Sequence, residues 1–230
     1  MYSSLKYFPM GDRALLVKFG DTIDLGINRK VHVLCNAVEQ AKIDGAEECV
    51  PAYASILVYY DPLKTSYEQL VFKLKDLEPK LDEFSAKMET RKLVIPTVYG
   101  GEFGPDLSIV AKYHDFTEEE VIRIHSEQEY MVYMIGFIEG FPYMGKVPDT
   151  IATPRLENPR LKIQAGSVGI AGNQTGIYPC ESPGGWQIIG RTPLILFNSF
   201  AQQPALFKPG DQCKFKPITG AEFETLKKKA

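Results

Sequence analysis

QAGSVGIAGNQTGIYPCESPGGWQIIGRTP, residues 164–193, carries seven glycines among short apolar pairs and contains the only tryptophan, Trp186. Glycine costs backbone entropy inside regular structure, so this density marks positions that need positive φ or close backbone approach. The glycines, with Pro179 and Pro183, exclude a helix. Ser167-Val168, Ile170-Ala171 and Gln187-Ile188-Ile189 have the length of short strands between tight turns. The stretch reads as part of a glycine-rich β-barrel, whose turns are either purely structural or the loops on which a site is built.

The chain before it has a different texture. Residues 13–19 read as a strand, followed by a helix in which Ile27, Val31, Leu34, Val38 and Ala41 recur at spacings of three and four and which ends near Gly45. Cys35 and His32 on that helix read as core and surface neighbours, not as ligands. Residues 55–60 form a second strand, and Tyr67, Leu70, Val71, Leu74 and Leu77 repeat the helical spacing until Pro79. This order gives a small α+β domain over residues 1–90. The charged segment 87–92 marks the boundary, and residues 93–99 resume strand character.

Two short helices come next, one over residues 107–113 and one after Thr117, where Thr117 and Glu120 have capping-box spacing. The second carries His125 to its C-terminal end. A strand over residues 130–137 leads into Gly140-Phe141-Pro142, and strands and turns dominate from there. Residues 91–230 are therefore a mainly β domain with barrel character.

Composition narrows the classes of function. A chain of 230 residues with 44% hydrophobic content can pack such cores, and its net charge of −3 leaves no electrostatic footprint for nucleic acid. The terminal Lys227-Lys228-Lys229 reads as a solvated helix end. Lys6, Asp12, Arg13 and Lys18 break any leader-like apolar segment, and no apolar run approaches the roughly 20 residues of a membrane span. Cys35, Cys49, Cys180 and Cys213 form no C-x-x-C pair. A cytoplasmic chain with reduced thiols is the expectation, with a disulfide left open.

The chemistry-bearing residues are selective in what they support. H-E-x-x-H, clustered Cys/His and G-x-S-x-G are missing from the sequence, so no metal site and no serine elbow are expected. Gly140 to Lys146 satisfies G-x-x-x-x-G-K, but Val147 stands where a phosphate loop needs Ser or Thr, and Pro142 and Pro148 oppose a loop entering a helix. Arg155 and Arg160 sit beside Pro154 and Pro159 and present forks suited to carboxylate or phosphate, or else lie on the surface. Gln174, Thr175 and Tyr178 either orient a carbonyl substrate or satisfy buried backbone. Ser182 and Trp186 line a cleft wall or cap the barrel. Arg191 is an anion anchor or half of a structural ion pair. His114 reads as a solvated loop residue. His125 is a titrating site residue or a helix-end histidine bonded to terminal carbonyls.

Four runs carry a resemblance: GFIEGFPYMG at 136–145, ATPRLENPR at 152–160, AGSVGIAGNQTGIYP at 165–179 and SPGGWQIIGRTPLILF at 182–197. They closely resemble the family of the B-type subunit of 5-oxoprolinase, also called the first subunit of allophanate hydrolase, which includes the inhibitor of a sporulation histidine kinase. GDRALLVKFG at 11–20 and YGGEFGPDL at 99–107 also look like family landmarks. Lys146 departs from the pattern, where a second glycine is common.

The resemblance implies that the second domain is a cyclophilin-like β-barrel. It also implies one half of a two-part module, found elsewhere fused as carboxyltransferase subdomains C and D, that works with the larger C-type subunit of 5-oxoprolinase and with its A-type subunit. The implied activity is ATP-dependent opening of 5-oxoproline to glutamate, with ATP and magnesium at a site shared with a partner. The chain alone is expected to bind no cofactor and to be inactive. On this reading Arg155, Arg160 and Arg191 supply charge, and Gln174 and Tyr178 hold the substrate. Thr175, Ser182 and Trp186 complete the pocket, and His125 moves protons. The alternatives are an inhibitor that docks on a histidine kinase, and action on another amide or urea-like substrate.

Overall fold

The computed structural model describes residues 4–81, 84 and 90–228. Two compact units make up the chain, Met1–Thr90 and Arg91–Ala230. In the first, strands β1 (Lys6–Pro9), β2 (Ala14–Lys18), β3 (Ala46–Pro51) and β4 (Ser55–Tyr60) form an antiparallel sheet in the order β1-β2-β4-β3. Helix α1 (Leu25–Ala41) and helix α2 (Tyr67–Leu77) share its core. Strand alternation turns Leu15 and Val17 of β2 and Ile56 and Val58 of β4 inward, onto Ile27, Val31, Leu34 and Val38 of α1.

Local chemistry fixes the helix limits. The Asp24 carboxylate accepts the Ile27 amide at 2.9 Å, and Lys42 closes α1 in a left-handed conformation. Ser66 and Gln69 form a reciprocal capping box at α2, and a 3₁₀ turn holding Pro79 follows it. Strands β1 and β3 are absent from the sequence reading because each is a sheet edge with mostly exposed side chains. His32 is buried on α1, so it belongs to the interior and not to the surface. Of the charged boundary segment, residues 87–89 lie outside the described residues, as does Lys229 of the terminal lysine run.

The second unit begins with β5 (Lys92–Tyr99), α3 (Leu107–Tyr113), α4 (Glu118–Glu127), β6 (Glu129–Ile135) and β7 (Pro142–Gly145). It continues through β8 (Arg160–Ile163), β9 (Ser167–Ala171), β10 (Gln174–Ile177), β11 (Ser182–Gly184), β12 (Gln187–Arg191), β13 (Gln212–Pro217) and α5 (Gly220–Lys227). Seven strands close a barrel in the order β10-β7-β6-β13-β5-β12-β9, with β13 and β5 parallel. Strands β8 and β11 pair with each other as a separate two-stranded ribbon. Closure removes the open edges that a sheet of such short strands would otherwise expose. Among the described residues Cys35, Cys49, Cys180 and Cys213 are free thiols, and no helix is long and apolar enough to cross a membrane.

His125 lies inside this barrel, wholly buried, and its ring stacks 4.5 Å from Phe215. Its Nε2 is 3.0 Å from the Thr175 hydroxyl and its Nδ1 2.8 Å from that of Tyr99. Thr175 donates its own proton to the Gly169 carbonyl at 3.0 Å, so it accepts from His125 Nε2–H, and Nδ1 then accepts from Tyr99. Burial pushes the imidazole down to about 3, which keeps it neutral.

The unfolded chain binds this proton near pH 6.5, so stability falls as pH drops from there toward 3. Replacement by glutamine, H125Q, removes this dependence. Denaturant titrations at pH 4 to 6 will show a slope of stability against pH that is shallower by up to about 1.4 kcal/mol per pH unit.

Candidate active site

A small apolar cluster of Phe141, Ile163, Ala171, Tyr178, Trp186 and Ile188 forms separately from the barrel core. Phe141 organises it, meeting Tyr178 edge-on at 5.1 Å and Trp186 at 5.3 Å, the favoured geometry for aromatic quadrupoles. Two glycines make this approach possible. A Cβ at Gly176 would stand 2.9 Å from the Phe141 ring, and one at Gly184 would stand 2.3 Å from the Tyr178 hydroxyl. Gly185 is different, since a Cβ there would meet only an ordinary 3.5 Å contact with Pro159.

Above the cluster opens a cleft of about 270 Å³, lined by Phe137, Phe141, Tyr143, Arg155, Pro159, Tyr178, Trp186 and the 183–185 turn. The Arg155 guanidinium lies 5.9 Å from the centroid of the Trp186 ring, and no carboxylate or carbonyl of the described residues engages it. Burial raises the Tyr178 hydroxyl to about 12, against the opposing pull of the Trp186 amide and the Arg155 charge. Tyr178 therefore keeps its proton. The cleft offers a flat aromatic wall, one unengaged planar cation and a neutral phenol, a set that recognises a small ring bearing a carboxylate.

The other residues singled out in the sequence lie elsewhere. Arg160 forms a two-pronged pair with Asp106, 2.9 Å from Nη1 to Oδ2 and 2.5 Å from Nη2 to Oδ1, and Asp106 also accepts the Ile188 amide at 2.6 Å. Arg191 donates to the Ala165 carbonyl at 2.8 Å and to Gln164 Oε1 at 2.9 Å. Both arginines line a second cavity of about 380 Å³, with Glu102, Lys162 and Lys227. Thr175 belongs to the barrel interior with His125. Gln174 opens β10 opposite Gly145, and Ser182 is buried on β11 opposite Ile163. His114 is half-buried, 3.2 Å from the Thr153 hydroxyl, and not a free loop residue. Of the nine candidates, only Arg155, Tyr178 and Trp186 share the cleft.

Triphosphate and magnesium do not fit the residues present. The G-x-x-x-x-G-K segment is β7, whose backbone is paired with β6 and β10, and Lys146 pairs with Asp149 at 2.9 Å. The cleft has one guanidinium and no carboxylate, and no cluster of metal ligands exists among the described residues.

The family model for the carboxyltransferase domain, subdomain C and D, matches residues 5–207. The chain belongs to this family. It is 42% identical over 96% of each chain to the B-type subunit of 5-oxoprolinase from Bacillus subtilis (strain 168). It is 48% identical to the corresponding B-type subunit from Haemophilus influenzae, over 71% of this chain and 72% of that one. The crystal structure of the conserved uncharacterized protein PH0987 from Pyrococcus horikoshii aligns with a TM-score of 0.57 at 50% identity, covering 95% of this chain and 100% of that one.

Every residue of the cleft falls inside the segment matched by the carboxyltransferase family. The sequence reading missed Phe137, Phe141 and Tyr143, although all three stand in the 136–145 motif. Their signal was the crowding of aromatics between glycines, which suits a built wall better than a strand end. In this carboxyltransferase-family chain R160A strands a buried carboxylate and will lower unfolding free energy by about 3 kcal/mol. R191A, which removes only outer hydrogen bonds, will cost about 1 kcal/mol or less in the same urea titration.

Proposed function

We propose that the chain is the B-type subunit of an ATP-dependent 5-oxoprolinase, opening 5-oxoproline to glutamate with the C-type and A-type subunits in the cytoplasm. The observation that carries the reading is Arg155, an unengaged guanidinium over the indole of Trp186, in a chain so similar to the 5-oxoprolinase component of Bacillus subtilis. 5-Oxoproline is a small five-membered lactam with one carboxylate, which is the shape and charge such a cleft selects. The barrel that carries it is, on this reading, of the cyclophilin-like kind.

Arg155 takes the carboxylate through two parallel N–H donors, and the indole face covers the ring. Tyr178, held protonated, donates to the lactam oxygen, where negative charge grows as the amide is attacked. The apolar walls keep water from the ring and strengthen both contacts. ATP with magnesium is supplied at a site shared with the C-type subunit, because this chain does not build one. His125 and Thr175 serve by holding the barrel, and Arg160 by holding Asp106.

R155A will raise KM for 5-oxoproline in the assembled enzyme roughly 10- to 100-fold, the worth of a charged hydrogen bond. Its unfolding temperature will stay at the native value, since no protein group loses a partner. The purified chain alone will show no 5-oxoproline-dependent ATP hydrolysis; turnover without partners would remove the shared-site reading.

A further inference from the structure

Phe137 sits at the cleft with φ of 69°, a left-handed conformation that bulky side chains strongly disfavour. The local cause is a three-residue turn: the Ile138 amide donates to the Gly136 carbonyl at 2.9 Å, across Phe137. A γ-turn with positive φ at its centre is the rare and strained form. The strand expected over residues 130–137 ends at Ile135 because this turn begins there. Glycine would adopt the conformation freely at position 137, yet the two nearest glycines occupy positions 136 and 140.

The ring recovers little from the protein. Phe137 is 62% exposed, and its aromatic contact is an edge-on approach to Phe141 at 5.8 Å. Phe141 is the same ring that supports Trp186, so the strained residue and the indole wall rest on one block. Strain that stabilises nothing around it, and that holds an exposed aromatic at a cleft, is the mark of a residue placed for a ligand.

The geometry points to Phe137 as a specificity-determining gate, whose ring closes over the lactam ring held in the cleft. This rests on the reading of the cleft as the 5-oxoproline site. Arg155 reads the carboxylate and Phe137 reads the ring, so the two selections are separable. A compact acyclic amide would satisfy neither the Phe137 face nor the Trp186 wall. The gate thus favours cyclic over open-chain amides.

The test uses F137A, F137G and R155A in the enzyme assembled with its C-type and A-type subunits, with 2-pyrrolidone as a competitor having the ring and no carboxylate. F137A is expected to raise KM for 5-oxoproline about tenfold, the value of one aromatic contact, with kcat moving less. Inhibition by 2-pyrrolidone weakens in F137A and persists in R155A, and F137W restores it. F137G, free of the strain, unfolds at a higher temperature than F137A, which keeps it. If F137A leaves both KM and inhibition unchanged while R155A raises KM, the gate is overturned and the cleft reading stands. If neither variant moves KM, the cleft reading falls and the gate with it. An F137G variant that unfolds below F137A overturns the strain on which the gate is argued.

Discussion

A carboxylate with 1% of its surface exposed must have its lone pairs claimed, and Asp106 meets that constraint with three donors from two distant segments. Arg160 reaches it from the ribbon strand β8, and the Ile188 amide reaches it from barrel strand β12. The carboxylate itself sits at the entry to α3. These contacts fix where β8 and β11 stand relative to the barrel. Pro159 precedes one end of that ribbon, and Gly184 and Trp186 follow from the other, so the cleft inherits its width from a buried ion pair outside it. The arginine read from sequence as a ligand anchor is the tether that builds the site.

Much of the fold was open to reading from local signals. Capping residues at Asp24, Ser66 and Thr117 start their helices where the spacing placed them, because each satisfies amides within three residues. The glycine-rich stretch does form barrel strands. The edge strands were hidden because exposed, acidic β3 has no apolar alternation to detect. Partnerships over long separations were hidden for a stronger reason: Asp106 and Arg160 lie 54 residues apart, and His125 and Thr175 lie 50 apart. Nothing in the sequence near an arginine says whether a carboxylate across the fold has already engaged it.

The same limit explains the split among candidate site residues. Arg155, Tyr178 and Trp186 converge because glycines at 176 and 184 let aromatic rings pack against backbone. That requirement is local in three dimensions and leaves a visible trace in composition. The engagement of Arg160 and the burial of His125 depend on topology and leave none. Phe137 is an intermediate case, since its neighbouring glycines announce a turn but not which residue takes the positive φ.

The barrel interior joins these observations. Tyr99 on β5, His125 on α4, and Thr175 and Gly169 on β10 and β9 form one chain of hydrogen bonds, each donor with an acceptor. A satisfied polar chain in an apolar core stabilises one register over its neighbours, because a slip by one residue would leave buried donors unpaired. Strand β9 pairs with β12, which leads directly from Trp186, and β10 carries Gly176 beneath Phe141. The neutral histidine therefore sets the register on which the outer aromatic wall is built. Its place in the function is to hold that wall in position while the proton chemistry occurs outside the barrel.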